Sequence, residues 1–68
     1  MNTKKEQLDM LIDRSNVPMK DIAEKMGVDY STFWRYRQKP EKMRAGQVIQ
    51  LSEVIGVDEK VILKIINS

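Results

Sequence analysis

The sequence contains no cysteine and no histidine. Without cysteine there is no disulfide staple and no thiolate zinc site. Without histidine the commonest metal ligand and acid–base group is missing. No glycine-rich phosphate loop is present, and 68 residues leave little room for a substrate pocket. An enzyme, a metal centre and a bound cofactor are therefore not expected. No apolar run approaches the length of a membrane span, and the N-terminus carries no signal-peptide pattern. The expectation is a soluble, cytoplasmic protein with no membrane partner. Low-complexity stretches and linkers are also lacking, so residues 1–68 read as a single domain and the whole protein. A core this small is marginal and needs tight helix packing or a partner chain.

What is present reads as helix throughout. Leu8, Leu11 and Ile12 lie at i, i+3 and i+4, the stripe of a first helix over 3–14 that Ser15 continues. Thr3 and Glu6 have the spacing of a capping box, and Asn16 suits the left-handed residue that ends such a helix. Met10 lies off the stripe. Pro18 is comfortable in the first turn of a second helix, and Asp21 favours the positive end of its dipole.

Residues 18 to 38 organise the rest. Ile22, Ala23 and Met26 make one apolar face, and Ala23 is small where two helices must approach. Gly27 can take the positive φ that stops a helix. Val28 folds back between the helices, and Asp29 is placed to cap the next by accepting an orphan N–H bond. A third helix over 30–38 points Phe33 inward, with Tyr36 at the core edge. Its opposite face carries Tyr30, Ser31, Trp34 and Arg35. Two helices joined by a short turn holding glycine describe a helix-turn-helix, although an ordinary αα-hairpin has the same outline.

Charge is unevenly spread. Between Trp34 and Gly46 stand Arg35, Arg37, Lys39, Lys42 and Arg44 against Glu41 alone. That is a net +4 in a chain of net +2, leaving −2 elsewhere. A solvated face accounts for such a cluster, but beside a helix-turn-helix phosphate binding is favoured. Lys39-Pro40-Glu41-Lys42-Met43 is the one clear loop, because the residue before proline avoids the α region. A fourth helix over 45–55 buries Val48, Leu51, Ser52 and Ile55. Gly56 stops it, and Asp58 caps a fifth segment. There Val61, Ile62, Leu63, Ile65 and Ile66 wrap more than one face.

The run Ile22-Ala23-Glu24-Lys25-Met26-Gly27-Val28, with Ser31-Thr32-Phe33 and Arg35, resembles the lambda-repressor-like family of phage repressors and Cro proteins. The resemblance extends loosely over nearly the whole chain. It implies an all-α, compact five-helix domain and a Cro-like or repressor-like regulator of transcription, from a phage or mobile element. Matched to the family motif, Tyr30, Ser31 and Arg35 fall on base-reading sites, with Trp34 beside them. Lys20, Thr32, Arg37, Lys39, Lys42 and Arg44 are the expected phosphate ligands of a double-stranded DNA operator. The chain departs from the family at Pro18 and Met19, where relatives often carry Ser or Thr and then Gln, so a contact made there by Gln is lost. Several family members form symmetric dimers through helix five. The surplus aliphatics therefore suggest a weak homodimer, with Ile62 and Ile66 the expected exposed pair. The alternative is a protein-binding module of the same fold, an antirepressor or antitoxin, which Tyr30, Trp34 and Met19 would suit.

Overall fold

The computed structural model describes residues 3–68. Its elements run α1 (Lys4–Ser15), α2 (Met19–Met26), α3 (Tyr30–Gln38), a 3₁₀ turn (Pro40–Lys42), α4 (Ala45–Ile55) and α5 (Glu59–Ile66). Among the described residues there is no strand, and no helix is long and apolar enough to cross a membrane.

Local signals set most of these boundaries. At the start of α1, Thr3 Oγ1 accepts the Glu6 N–H at 3.1 Å, and Glu6 Oε1 accepts the Thr3 N–H at 3.0 Å. This is the reciprocal capping box, which satisfies two donors that the first turn leaves without helical partners. The Thr3 N–H also holds the Glu6 carboxyl below its usual range.

The helix ends share one device. Asn16, Gly27 and Gly56 are the three described residues with positive φ, and each is followed by valine. After α2, the Val28 N–H reaches Ala23 O and the Gly27 N–H reaches Glu24 O, both at 3.0 Å. After α4, the Val57 N–H reaches Ser52 O at 3.0 Å. These bonds close orphan carbonyls, and Val28 and Val57 tuck against the core as the apolar partner of the turn. After α1 a side chain takes over part of the task. Ser15 Oγ donates to Ile12 O at 2.6 Å and accepts the Val17 N–H at 3.2 Å.

Two expected caps differ. Asp29 occupies the N-cap of α3, but its side chain accepts no bond from the helix. Pro18 is the N-cap of α2 rather than a residue of its first turn. Asp58 does cap α5, accepting the Lys60 N–H at 2.9 Å.

The core is one cluster fed by every helix. Leu8 and Ile12 enter from α1, Ile22, Ala23 and Met26 from α2, and Phe33 from α3. Val48, Leu51 and Ile55 enter from α4, Ile62 from α5, and Met43 from the loop. Pro40 is also buried, so the loop is pinned at both its ends. Helix α4 lies against α2 and α5, while α1 spans α3, α4 and α5.

The expected exposed pair on α5 is corrected here. Ile62 has 0% of its surface accessible, and Ile66 is partly buried against the same core. The exposed aliphatics of α5 are Val61 and Leu63. The reason is the register in which α5 docks on α1 and α4. Ile62 and Ile65, three apart, face inward, and Val61 and Leu63 fall to either side.

Candidate nucleic-acid interface

Helix α3 leaves α2 through the three-residue turn 27–29 and is anchored by Phe33, which is fully buried. At about 100° per residue, Tyr30, Ser31, Trp34 and Arg35 occupy one continuous arc on the side away from Phe33. All four are exposed, and Trp34 keeps 50% of its surface in solvent. Tyr30, at 52%, is equally open, so two aromatic rings stand on this arc.

The roll of the helix is fixed from both flanks. On one side Arg37 Nε donates to Asp9 Oδ1 of α1 at 2.9 Å, and Nη2 lies 2.9 Å from the same oxygen in an ion pair. Both side chains in this pair are only 19% exposed, and Lys5 Nζ adds a third donor on Asp9 Oδ2 at 2.9 Å. Arg37 Nη1 also points at Met19 Sδ. On the other side Gln47 Nε2 donates to the Tyr36 hydroxyl at 2.6 Å, while Gln47 Oε1 accepts the Arg44 N–H at 2.8 Å. Gln47 thus ties α3 to the first turn of α4 and positions the backbone of Arg44.

Arg37 was an expected phosphate ligand, and the structure gives it another task. Its guanidinium is committed to Asp9, half-buried between α1 and α3, so it braces α3 instead of presenting charge to a ligand. The other expected cations are different. Among the described residues, Lys20, Arg35, Lys39, Lys42 and Arg44 are exposed and form no ion pair.

The structure brings part of the expected set together. A groove of about 460 Å³ along the C-terminal half of α3 is lined by Thr32, Trp34, Arg35, Tyr36, Gln38, Lys39 and Lys42. It gathers three unpaired cations and the exposed indole on a mostly apolar wall. Tyr30 and Ser31 lie toward the N-terminal end of the same helix, outside the groove. Lys20 on α2 and Arg44 at the N-cap of α4 also lie outside it. Gln38 belongs to the surface but was not anticipated. It stands seven residues after Ser31 and continues the arc, a signal that helical spacing carries. Gln47 was missed too. Its role depends on α4 meeting α3, which no local pattern announces.

No group of acidic residues that could hold a metal ion occurs among the described residues. No family model, curated protein or solved structure matches the chain.

Proposed function

We propose that the protein is a sequence-specific DNA-binding regulator of transcription of the Cro or repressor type, with α2–turn–α3 as a helix-turn-helix. The observation that carries this reading is the exposed arc of α3 continuous with a groove of unpaired cations. A helix such as α3 is about 10–12 Å across with its side chains, narrow enough to seat in a major groove about 12 Å wide. Arg35 reads guanine through O6 and N7, and Tyr30, Ser31 and Trp34 meet neighbouring base edges and thymine methyls. Lys39, Lys42 and Arg44 take phosphates on the flank, with Thr32 and Lys20 as further ligands. Regulation is by occupancy: the bound protein blocks or redirects polymerase.

One head of this size contacts few base pairs, so two copies on a near-palindrome, about 10 bp apart, are the operator form. Leu63, with Ile66 three residues on, replaces Ile62 as the pairing face of α5. A second reading, in which α3 binds a protein, draws on the half-exposed Trp34 in its apolar groove.

Salt dependence separates the two readings. Replacing Lys39, Lys42 or Arg44 with alanine should each lower the slope of log K against log salt by about 1, through one counterion fewer released. Arg37→Ala should leave that slope unchanged and instead cost about 1–2 kcal/mol of folding stability, through the lost Asp9 pair. Titration of a duplex at several salt concentrations, with Trp34 fluorescence as the signal, measures the slopes. The chain has one tryptophan, so the signal has one source. Flat slopes for all three loop cations would exclude the loop from any phosphate contact.

A further inference from the structure

A second groove lies between α1 and α5, about 690 Å³ in volume. Its walls are two helical stripes. From α1 come Gln7, Met10, Leu11 and Arg14, at i, i+3, i+4 and i+7, and from α5 come Val61, Lys64 and Ile65, at i, i+3 and i+4, with Ser68 just beyond the end of the helix. Leu11 and Ile65 form the less accessible floor, and Met10 (45% exposed) and Val61 (42%) form raised apolar edges. None of these residues belongs to α3 or to the loop that follows it.

The charge of the groove is one-sided. Arg14 and Lys64 line it, and among the described residues no acidic side chain does. Glu6 and Asp13 of α1 sit about 90° or more around the helix from the centre of its stripe, and Glu59 of α5 lies nearly opposite its own. A second copy seated groove to groove would bring four cationic side chains together with no acidic side chain between them. That arrangement costs affinity, because like charges in an interface repel. DNA is poorly served as well, since four of the eight lining side chains are apolar. The complementary ligand is apolar along its centre and acidic at its margins.

We infer that this groove docks an acidic amphipathic helix of a partner protein, independently of the α3 surface. The α1 stripe runs from Gln7 to Arg14, about 10 Å of helix, so a partner helix of two to three turns covers it. Its apolar residues at i, i+3, i+4 and i+7 would rest on Leu11 and Ile65, in the helix-in-groove mode. Met10, unbranched and polarizable, adapts to the shape that arrives. Carboxylates on the margins pair with Arg14 and Lys64. Because the two surfaces share no residue, one molecule can hold DNA and partner together and bring the partner to an operator.

The test uses the full chain, isotope-labelled for amide NMR, and a designed helical peptide of about 16 residues. The peptide carries leucines at i, i+3, i+4 and i+7 with flanking glutamates. One control peptide replaces the glutamates with lysines, and another scatters the leucines. The expected result is saturable shifts confined to the groove residues, with Trp34 fluorescence unchanged. Arg14→Glu with Lys64→Glu, both at exposed positions, should keep the thermal transition cooperative. It should weaken the acidic peptide by on the order of tenfold or more and reverse the preference toward the lysine peptide. Met10→Asp should weaken both ordered peptides. The proposal is overturned by equal binding of the acidic and lysine peptides, by shifts centred on α3, or by absence of saturation. Concentration-dependent shifts of the groove residues without peptide that persist in the Leu63→Glu protein would also overturn it, since they would make the occupant a second copy.

Discussion

Replacing Ile62 with lysine should unfold the protein. Ile62 is fully buried where α5 closes the core against α1 and α4. Removing a buried isoleucine costs about 2–5 kcal/mol even when a smaller apolar side chain replaces it. A charge left without a partner in that space adds several kcal/mol more. A domain of this length has a total stability of roughly 3–10 kcal/mol. The penalty is of the same size as the whole, so circular dichroism should show loss of helix and of a cooperative melt. Two comparisons isolate the cause. Ile62→Val should stay folded and lose about 0.5–1.5 kcal/mol. Leu63→Glu, one residue along but 38% exposed, should stay folded and instead suppress pairing of two copies in sedimentation. A folded, cooperative Ile62→Lys protein would mean that α5 is docked in another register.

Arg35→Ala should change what the protein reads rather than whether it folds. Arg35 is exposed, lies on the arc of α3 opposite the core, and has no ion pair to lose. Its stability effect should fall within about 0.5 kcal/mol, as for other surface changes. The effect on specific DNA binding should be about 1–3 kcal/mol, or roughly 5- to 150-fold, concentrated at one base pair. Selection of bound duplexes from a random pool checks it directly. The parent should select a near-palindrome, and the variant should lose preference at one position in each half-site. Loss of affinity without change in the selected sequence would make Arg35 a phosphate ligand. Failure of the parent to enrich any sequence would remove the DNA reading altogether.

Much of the architecture was legible because short-range chemistry specifies it. The capping box at Thr3 and Glu6, the left-handed residues Asn16, Gly27 and Gly56, and Asp58 at the start of α5 each act within five residues. The bounds of α3 and α4 follow from the same signals together with Pro40. The inward faces of α1 to α4 were also legible, since their apolar residues fall on one side. Helix α5 was different. Five aliphatics in six positions span about 200° of its circumference, with Ile62 near the middle, an arc too wide for periodicity to mark which of them stay exposed. Docking against α1 and α4 buries Ile62 and Ile65. Arg37 failed for a related reason. A cation in a basic run looks the same whether it meets solvent or a carboxylate 28 positions earlier. Asp29 shows that a favoured cap residue in the right place need not make the cap bond. The candidate site was legible as a list of exposed residues on α3. Its bracing by Asp9, Gln47 and Tyr36 rests on contacts between helices and was not.

The three left-handed turns bear on how widely this architecture can be spelled. A Cβ placed at Gly27 or Gly56 would meet no atom within 4 Å. Room is therefore not what those positions demand; backbone handedness is. Asn16 meets that demand with a side chain at φ 57°, close to the 71° and 73° of the two glycines. Asparagine is the residue that bears this conformation with least strain after glycine. The Gly-Val pairs and the Asn-Val pair are thus synonyms for one instruction, to stop the helix and turn valine inward. A chain that wrote Asn-Val at all three turns would keep the same helices in the same order. It would carry no glycine signature by which to recognise them.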